Sequence, residues 1–333
     1  MDKKYIMYIA LAIFIILMIN IFLSSDDVSE IKAVYLINSD SKKTKLINSN
    51  FIFTIQKMTI DYKEVDPCDV IDFQKGYHYV TFYIKKITTT FMMFSGIEDL
   101  SEINLENFDA SDVTDMGYMF YRCRSLVEVR LSNLKANNVK KMDSMFSNCI
   151  SLKGIYLSKL DLKNVETMDN IFYNCQALER FYSDQLQTKN LKTIKSMFSN
   201  CINLKYVNFD YLFETSNIVD MSNIFSGCNS LYEAQLMYFD TKNVENMDKM
   251  FYGCSKLTSI NLSNFKTPKV ESMEYMFYNC ENLKFLDISS FDTSYAPNIL
   301  NTYAYFGTIV INTNFCNMIK SQIGNTWTIK YID

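Results

Sequence analysis

Histidine, tryptophan, proline and glycine are scarce in this 333-residue chain, with one, one, three and eight copies respectively. The lone histidine, His78, leaves little for histidine-based catalysis, and so few glycines leave little for phosphate-cradling loops. Positive charge is not in excess: 33 Lys and Arg face 37 Asp and Glu, for a net charge of −4. With a pI near 5.3, this argues against a nucleic-acid binder with a broad basic face. Disorder is excluded too, because 48% apolar and 21% charged residues can bury a core. The length suits about two domains, or a single elongated one. Nine cysteines is an odd number, so at least one thiol lacks an intramolecular partner.

The long apolar run is at residues 5–23, after Lys3 and Lys4, and is broken only by Asn20. Its length is close to the roughly 20 residues that cross a bilayer as a helix. The exit, Ser24-Ser25-Asp26-Asp27, is a poor cleavage site, and the basic flank precedes the run. An uncleaved signal anchor over residues 1–24 is expected, with a cleaved signal peptide as the alternative. Either places the remainder outside the cytoplasm, at the cell surface, with the membrane as a partner through this helix.

The dominant feature is a repeat. Cysteines at 123, 149, 175, 201, 228, 254 and 280 are 26 residues apart, with one interval of 27. Phenylalanine stands three positions before each, Met or Ile four before, and Met or Ile seven before. A degenerate eighth copy has Met93-Phe94 and Ile97. Offsets of 0, 3, 4 and 7 mark one face of an α-helix. The position eight before cysteine holds mostly capping residues (Asp115, Thr167, Thr193, Asp220, Asn246, Ser272), and the position just before cysteine is mostly Asn or Gly. A helix of about two turns, closed by a left-handed residue, is therefore expected in each repeat.

After each cysteine the period changes to apolar residues at +3, +6 and +8, as in Leu126-x-x-Val129-x-Leu131, which reads as a half-buried strand. The third and fifth copies are weakened by Ser183 and Ala234. Apolar residues recur at +11, from Leu134 to Phe291, and the extra residue of the long interval is expected between Leu212 and Ile218. Strand, turn and short capped helix predict an α/β leucine-rich-repeat solenoid with a parallel sheet, in which about eight units share one core. Alternating segments over residues 31–88 predict a β-rich module covering the first unit. The array is expected over residues 89–299. Residues 300–333, with Ile309-x-Ile311, a short helix around 315–323 and Trp327-x-Ile329, are expected to form a closing cap.

The stretches Phe239-Asp-Thr-Lys-Asn-Val244, Met247-Asp-Lys-Met-Phe-Tyr-Gly-Cys254 and Leu257-Thr-Ser-Ile-Asn-Leu-Ser-Asn-Phe265 resemble the 26-residue repeat of BspA-like leucine-rich-repeat surface proteins. The lead-in around Met58–Asp61 and Phe73–Phe82 resembles the β-rich segment before such arrays. The resemblance implies surface display and adhesion to host or matrix proteins. No cysteine precedes Cys68, so the lipid-attachment cysteine of the family's lipoproteins is missing, as is a wall-sorting motif.

One cysteine per repeat makes a row rather than a tetrahedron, and helices about 8–10 Å apart would keep the thiols from pairing. Buried free thiols are expected, with no metal, cofactor or catalytic group. The sequon Asn261-Leu262-Ser263 is a weak signal. Strand positions +5 and +7 should face away from the core. There Tyr156, Arg180, Tyr182 and Tyr206 are candidate protein-binding residues on consecutive units, since Tyr and Arg dominate interfaces. The function expected is extracytoplasmic binding of a protein or other macromolecule through this face; the alternative is a structural or antigenic coat protein without a specific ligand.

Overall fold

A computed structural model describes residues 28–40, 42–132, 134–157, 160–183, 185–291, 307–312 and 327–332. The apolar run at 5–23 and the helix expected around 315–323 lie outside them. Among the described residues no helix is long and apolar enough to cross a membrane.

The described residues begin with an antiparallel sheet. Strands β1 (Val28–Ile37), β2 (Lys42–Lys45), β3 (Ile55–Ile60), β4 (Lys63–Val65), β5 (Val70–Phe73) and β6 (Gly76–Lys85) precede the repeats, with a single 3-10 turn at Ser49–Thr54. β1 buries Ile31, Ala33, Tyr35 and Ile37 on one face, and β6 buries Val80, Phe82 and Ile84. The repeats then supply β7 (Leu100–Asn104), β8 (Glu128–Arg130), β9 (Gly154–Tyr156), β10 (Arg180–Tyr182), β11 (Tyr206–Asn208), β12 (Glu233–Gln235), β13 (Ser259–Asn261) and β14 (Phe285–Asp287). Two further strands, β15 (Gly307–Asn312) and β16 (Trp327–Ile332), follow in parallel. β1 pairs antiparallel with β7, so the edge of the first rung is occupied and the sheet order runs β4-β3-β6-β1-β7-β8-β9. Rungs pair in parallel at the sequence interval itself, with Glu102 opposite Glu128 and Val129 opposite Ile155.

The expected helices are absent, and the α/β assignment is corrected: among the described residues the fold is a β-solenoid with no α-helix. Each supposed helix is two consecutive four-residue β-turns. In the second unit these are Met116–Met119 and Phe120–Cys123, closed by Met119 N–H to Met116 C=O at 3.3 Å and Cys123 N–H to Phe120 C=O at 3.0 Å. The intervening amides leave the rung: those of Met116, Tyr118, Phe120 and Arg122 each donate to the next rung, at 2.9 Å. The third residue of each turn is left-handed, as a type II turn requires, at Tyr118 (φ 57°) and Arg122 (φ 61°). All eight rungs repeat both positions, from Met92 and Gly96 to Tyr275 and Asn279. A left-handed residue in the middle of the segment is incompatible with a right-handed helix. The misreading has a geometric cause. Offsets 0, 3, 4 and 7 are one face of a helix, but they are also the corner residues of two successive turns. Of the supposed caps, Asp115, Asp220 and Asn246 form Asx-type turns instead, with Gly117 N–H donating to Asp115 Oδ1 at 2.8 Å and Ser222 N–H to Asp220 Oδ1 at 2.8 Å. The hydroxyls of Thr167, Thr193 and Ser272 donate to Asp143, Asp169 and Asp248 one rung back.

The corner residues build the core. Phe94, Phe120, Phe146, Phe172, Phe198, Phe225, Phe251 and Phe277 form one stack of rings, with centroids 5.4–5.8 Å apart and planes within 23°. Phe82 of β6 meets the first ring edge-on at 5.9 Å. The extra residue of the long rung is also relocated. Phe213, not Leu212, is fully buried and closes the turn onto Asp210 C=O at 3.2 Å, so the insertion lies between Phe209 and Phe213.

Glycine substitution distinguishes turn from helix. Lys249 is exposed with φ 54°. Lys249→Gly relieves the left-handed strain and should stabilise the chain by about 0.5–1 kcal/mol, where a helix interior would lose about 1 kcal/mol. Chemical denaturation of the two chains measures the sign.

Candidate functional site

Strand alternation turns positions +5 and +7 of each rung outward, and three of the four candidate residues are seen to come together. Tyr156 is placed by its backbone opposite Arg130 on β9, but backbone pairing does not continue from β9 to β10. Arg180, Tyr182 and Tyr206 are brought together. Arg180 stands in register with Tyr206 across β10 and β11, and its Nη1 donates to Tyr182 Oη at 3.4 Å. The Tyr182 and Tyr206 rings lie 5.6 Å apart at 46°. The hydrogen bond to Tyr182 and the tyrosine charges nearby raise the Arg180 guanidinium further. Partial desolvation, with the Glu233 carboxylate next, raises the Tyr206 phenol above its usual range.

Two neighbours were missed. Glu233 stands in register with Tyr206 on β12, and exposed Tyr232 precedes it. Tyr232 falls at +4, outside the two columns that alternation marks as outward. Just beyond the strands, Tyr211, Met237 and Tyr238 are also exposed, and the two tyrosines meet edge-on at 6.4 Å. Tyr211 is thrust out by the insertion, which no periodicity announces.

The thiols have a role, though not the geometry expected from packed helices. Seven are fully buried, and each Sγ donates to the carbonyl of the phenylalanine one rung back. The distances are 3.0–3.2 Å, with Cys175 reaching Phe146 at 3.1 Å. That carbonyl also accepts the amide of its own rung's cysteine, or of Ile97 in the first rung. Cysteine fits the column because it packs as a small hydrophobe yet supplies a weak donor. Burial pushes Cys123, Cys201 and Cys280 up to about 12, and raises the other four as well. Protonated thiols are neither nucleophiles nor metal ligands. Among the described residues no group of His, Cys, Asp and Glu could hold a metal ion.

Stacked 26-residue rungs, joined by shared backbone and side-chain ladders, define the class: a parallel β-solenoid repeat protein. Within that class the chain belongs to the family described as Mycoplasma protein of unknown function, DUF285, whose model matches residues 88–210 and 210–314. No curated protein and no solved structure matches it.

The native thiols hold their protons at a pH where those of the unfolded chain, near their ordinary value of about 8.5, release them. The folded state thus binds more protons above that pH, and stability falls as pH rises towards 12, by up to roughly 1.4 kcal/mol per pH unit for each ladder thiol. Below about pH 8 this contribution is constant. Urea midpoints measured from pH 7 to 11 test the slope, and Ellman's reagent should leave the seven ladder thiols unmodified until the chain is denatured.

Proposed function

We propose that this chain is an extracytoplasmic, surface-displayed repeat protein that holds another macromolecule, most simply a host or matrix protein, on its exposed sheet face. The reading assigns it no catalytic step and no cofactor. The observation that carries it is the grouping of Arg180, Tyr182 and Tyr206, residue types that bury large area at small entropic cost, on a rigid parallel sheet. Tyr211 on the same rung as Tyr206, and Tyr232 and Tyr238 on the next, extend the aromatic surface. Tyr156, one rung earlier on β9, remains part of the proposed site by its strand position. The apolar run at residues 5–23, with its basic flank, is the segment that directs and holds the chain at the membrane with the rungs outside. The resemblance of the repeat to BspA-like surface proteins supports the same placement.

Two measurements test this. Protease added to intact cells should digest the rungs; full protection would reject the placement. Saturable binding of a purified matrix protein such as fibronectin should weaken about tenfold or more in Arg180→Ala, Tyr182→Ala and Tyr206→Ala, as central interface residues do. No binding to any matrix protein tried would favour a coat without a specific ligand, and unchanged affinity in every variant would remove the patch.

A further inference from the structure

The parallel sheet is interrupted between β12 and β13, although these strands lie on successive rungs. On the turn side the same two rungs stay joined, with Phe225 N–H reaching Met250 C=O at 2.9 Å and Gly227 N–H reaching Tyr252 C=O at 2.7 Å. On the strand side the ladder runs up to this point and resumes after it: Phe209 N–H donates to Gln235 C=O at 3.4 Å and Leu262 N–H to Asp287 C=O at 2.8 Å. The equivalent amide, that of Leu236, has no acceptor among the described residues, yet Leu236 is only 2% exposed. A buried amide without a partner calls for an explanation. Ala234 on β12, like Ile155 on β9 beside the other interruption, is only half-buried. It occupies the core slot that Val129, Phe181, Val207, Ile260 and Leu286 fill and bury. With only a methyl to bury, all three residues of β12 stay half-buried.

The gap opens into a cleft of about 660 Å³ lined by Glu233, Gln235, Ser259, Asn261, Asn264 and Phe285 among others. We propose that this seam is a binding site for a neutral oligosaccharide. Reading across the face, Tyr206 is in register with Glu233 on one side, and Ser259 with Phe285 on the other. Aromatic rings thus flank a strip of a carboxylate, amides and a hydroxyl. Sugars offer hydroxyls that both donate and accept, together with C–H faces that pack on rings, and this strip matches both needs. Glu233 is the single ionised group of the lining and no cation accompanies it, so phosphate, sulfate and anionic polymers lack a clamp. The apolar lining residues Ala234, Leu236, Met237, Ile260 and Phe285 offer packing surface to the C–H faces of a sugar. The site stands two rungs beyond Arg180 and does not depend on the protein-binding reading.

Calorimetry on the full chain with maltotetraose, cellotetraose and triacetylchitotriose, and with a heparin tetrasaccharide as the anionic probe, tests the proposal. Expected is saturable binding of at least one neutral probe, weakened tenfold or more by Glu233→Ala and by Asn261→Ala, unchanged by Arg180→Ala, and no binding of heparin. Absence of binding by every neutral probe, tighter binding of heparin, or affinities unaffected in both seam variants would overturn it. Hydrogen exchange supplies a readout that does not depend on the probe. The Leu236 amide should exchange faster than that of Phe209 and slow in Ala234→Val; equal protection of the two amides in the native chain would show the seam closed and reject the site.

Discussion

Backbone amides that leave their own rung are the constraint on which this fold depends. In the first seven turn segments, alternate N–H groups close a local β-turn while those between them donate to the next rung. A single rung therefore has half of its turn amides unpaired, and an unpaired buried amide costs as much as a lost hydrogen bond. Stacking satisfies them, and the same stacking places phenylalanine on phenylalanine and thiol on carbonyl. Stability is consequently a property of neighbours rather than of units, as in other one-dimensional arrays. The ends of such an array need partners. β1 supplies one at the first rung, and β15 and β16 continue the sheet beyond the last.

Regular stacking also determines where recognition can arise. Rungs in perfect register present columns of identical backbone, so individuality comes from the outward side chains and from defects. Both occur on the sheet face. Arg180, Tyr182 and Tyr206 form a compact polar-aromatic group, and the rungs of β11 and β12 contribute Tyr211, Tyr232 and Tyr238 around it. The core-slot residues Ile155 of β9 and Ala234 of β12 are only half-buried, and it is after these two strands that the sheet pairing is interrupted. A core slot that buries little cannot hold its strand against the next one, because strand position here is set by the side chain beneath it.

The cysteine column shows how a chemical residue type can serve a structural end. A protonated, buried thiol that bonds a carbonyl one rung back tolerates no metal and offers no nucleophile. Its value lies in size and a single weak donor, and a row of such donors repeats at the interval of the rungs. Much of this was legible beforehand: the period, the shared core, the parallel strands and the left-handed residue before each cysteine are all written in the residue pattern. The candidate site was only half legible, since alternation marks Arg180, Tyr182 and Tyr206 as outward but says nothing of Tyr232 at +4 or of the insertion that exposes Tyr211.

The amino-acid sequence by itself determined the rung length, the residues that face the core and the columns that face outward, because burial follows apolar periodicity whatever the backbone does between. Tertiary structure decided the conformation of the segment before each cysteine. Spacings of 0, 3, 4 and 7 suit a helix and a pair of β-turns equally, and the local residues do not exclude either: Tyr118, Ser144 and Lys249 carry no mark of a left-handed backbone. The choice is made by the adjacent rung. Its carbonyls accept amides that a helix would have turned inward, and a two-turn helix, too short to persist alone, offers no comparable return.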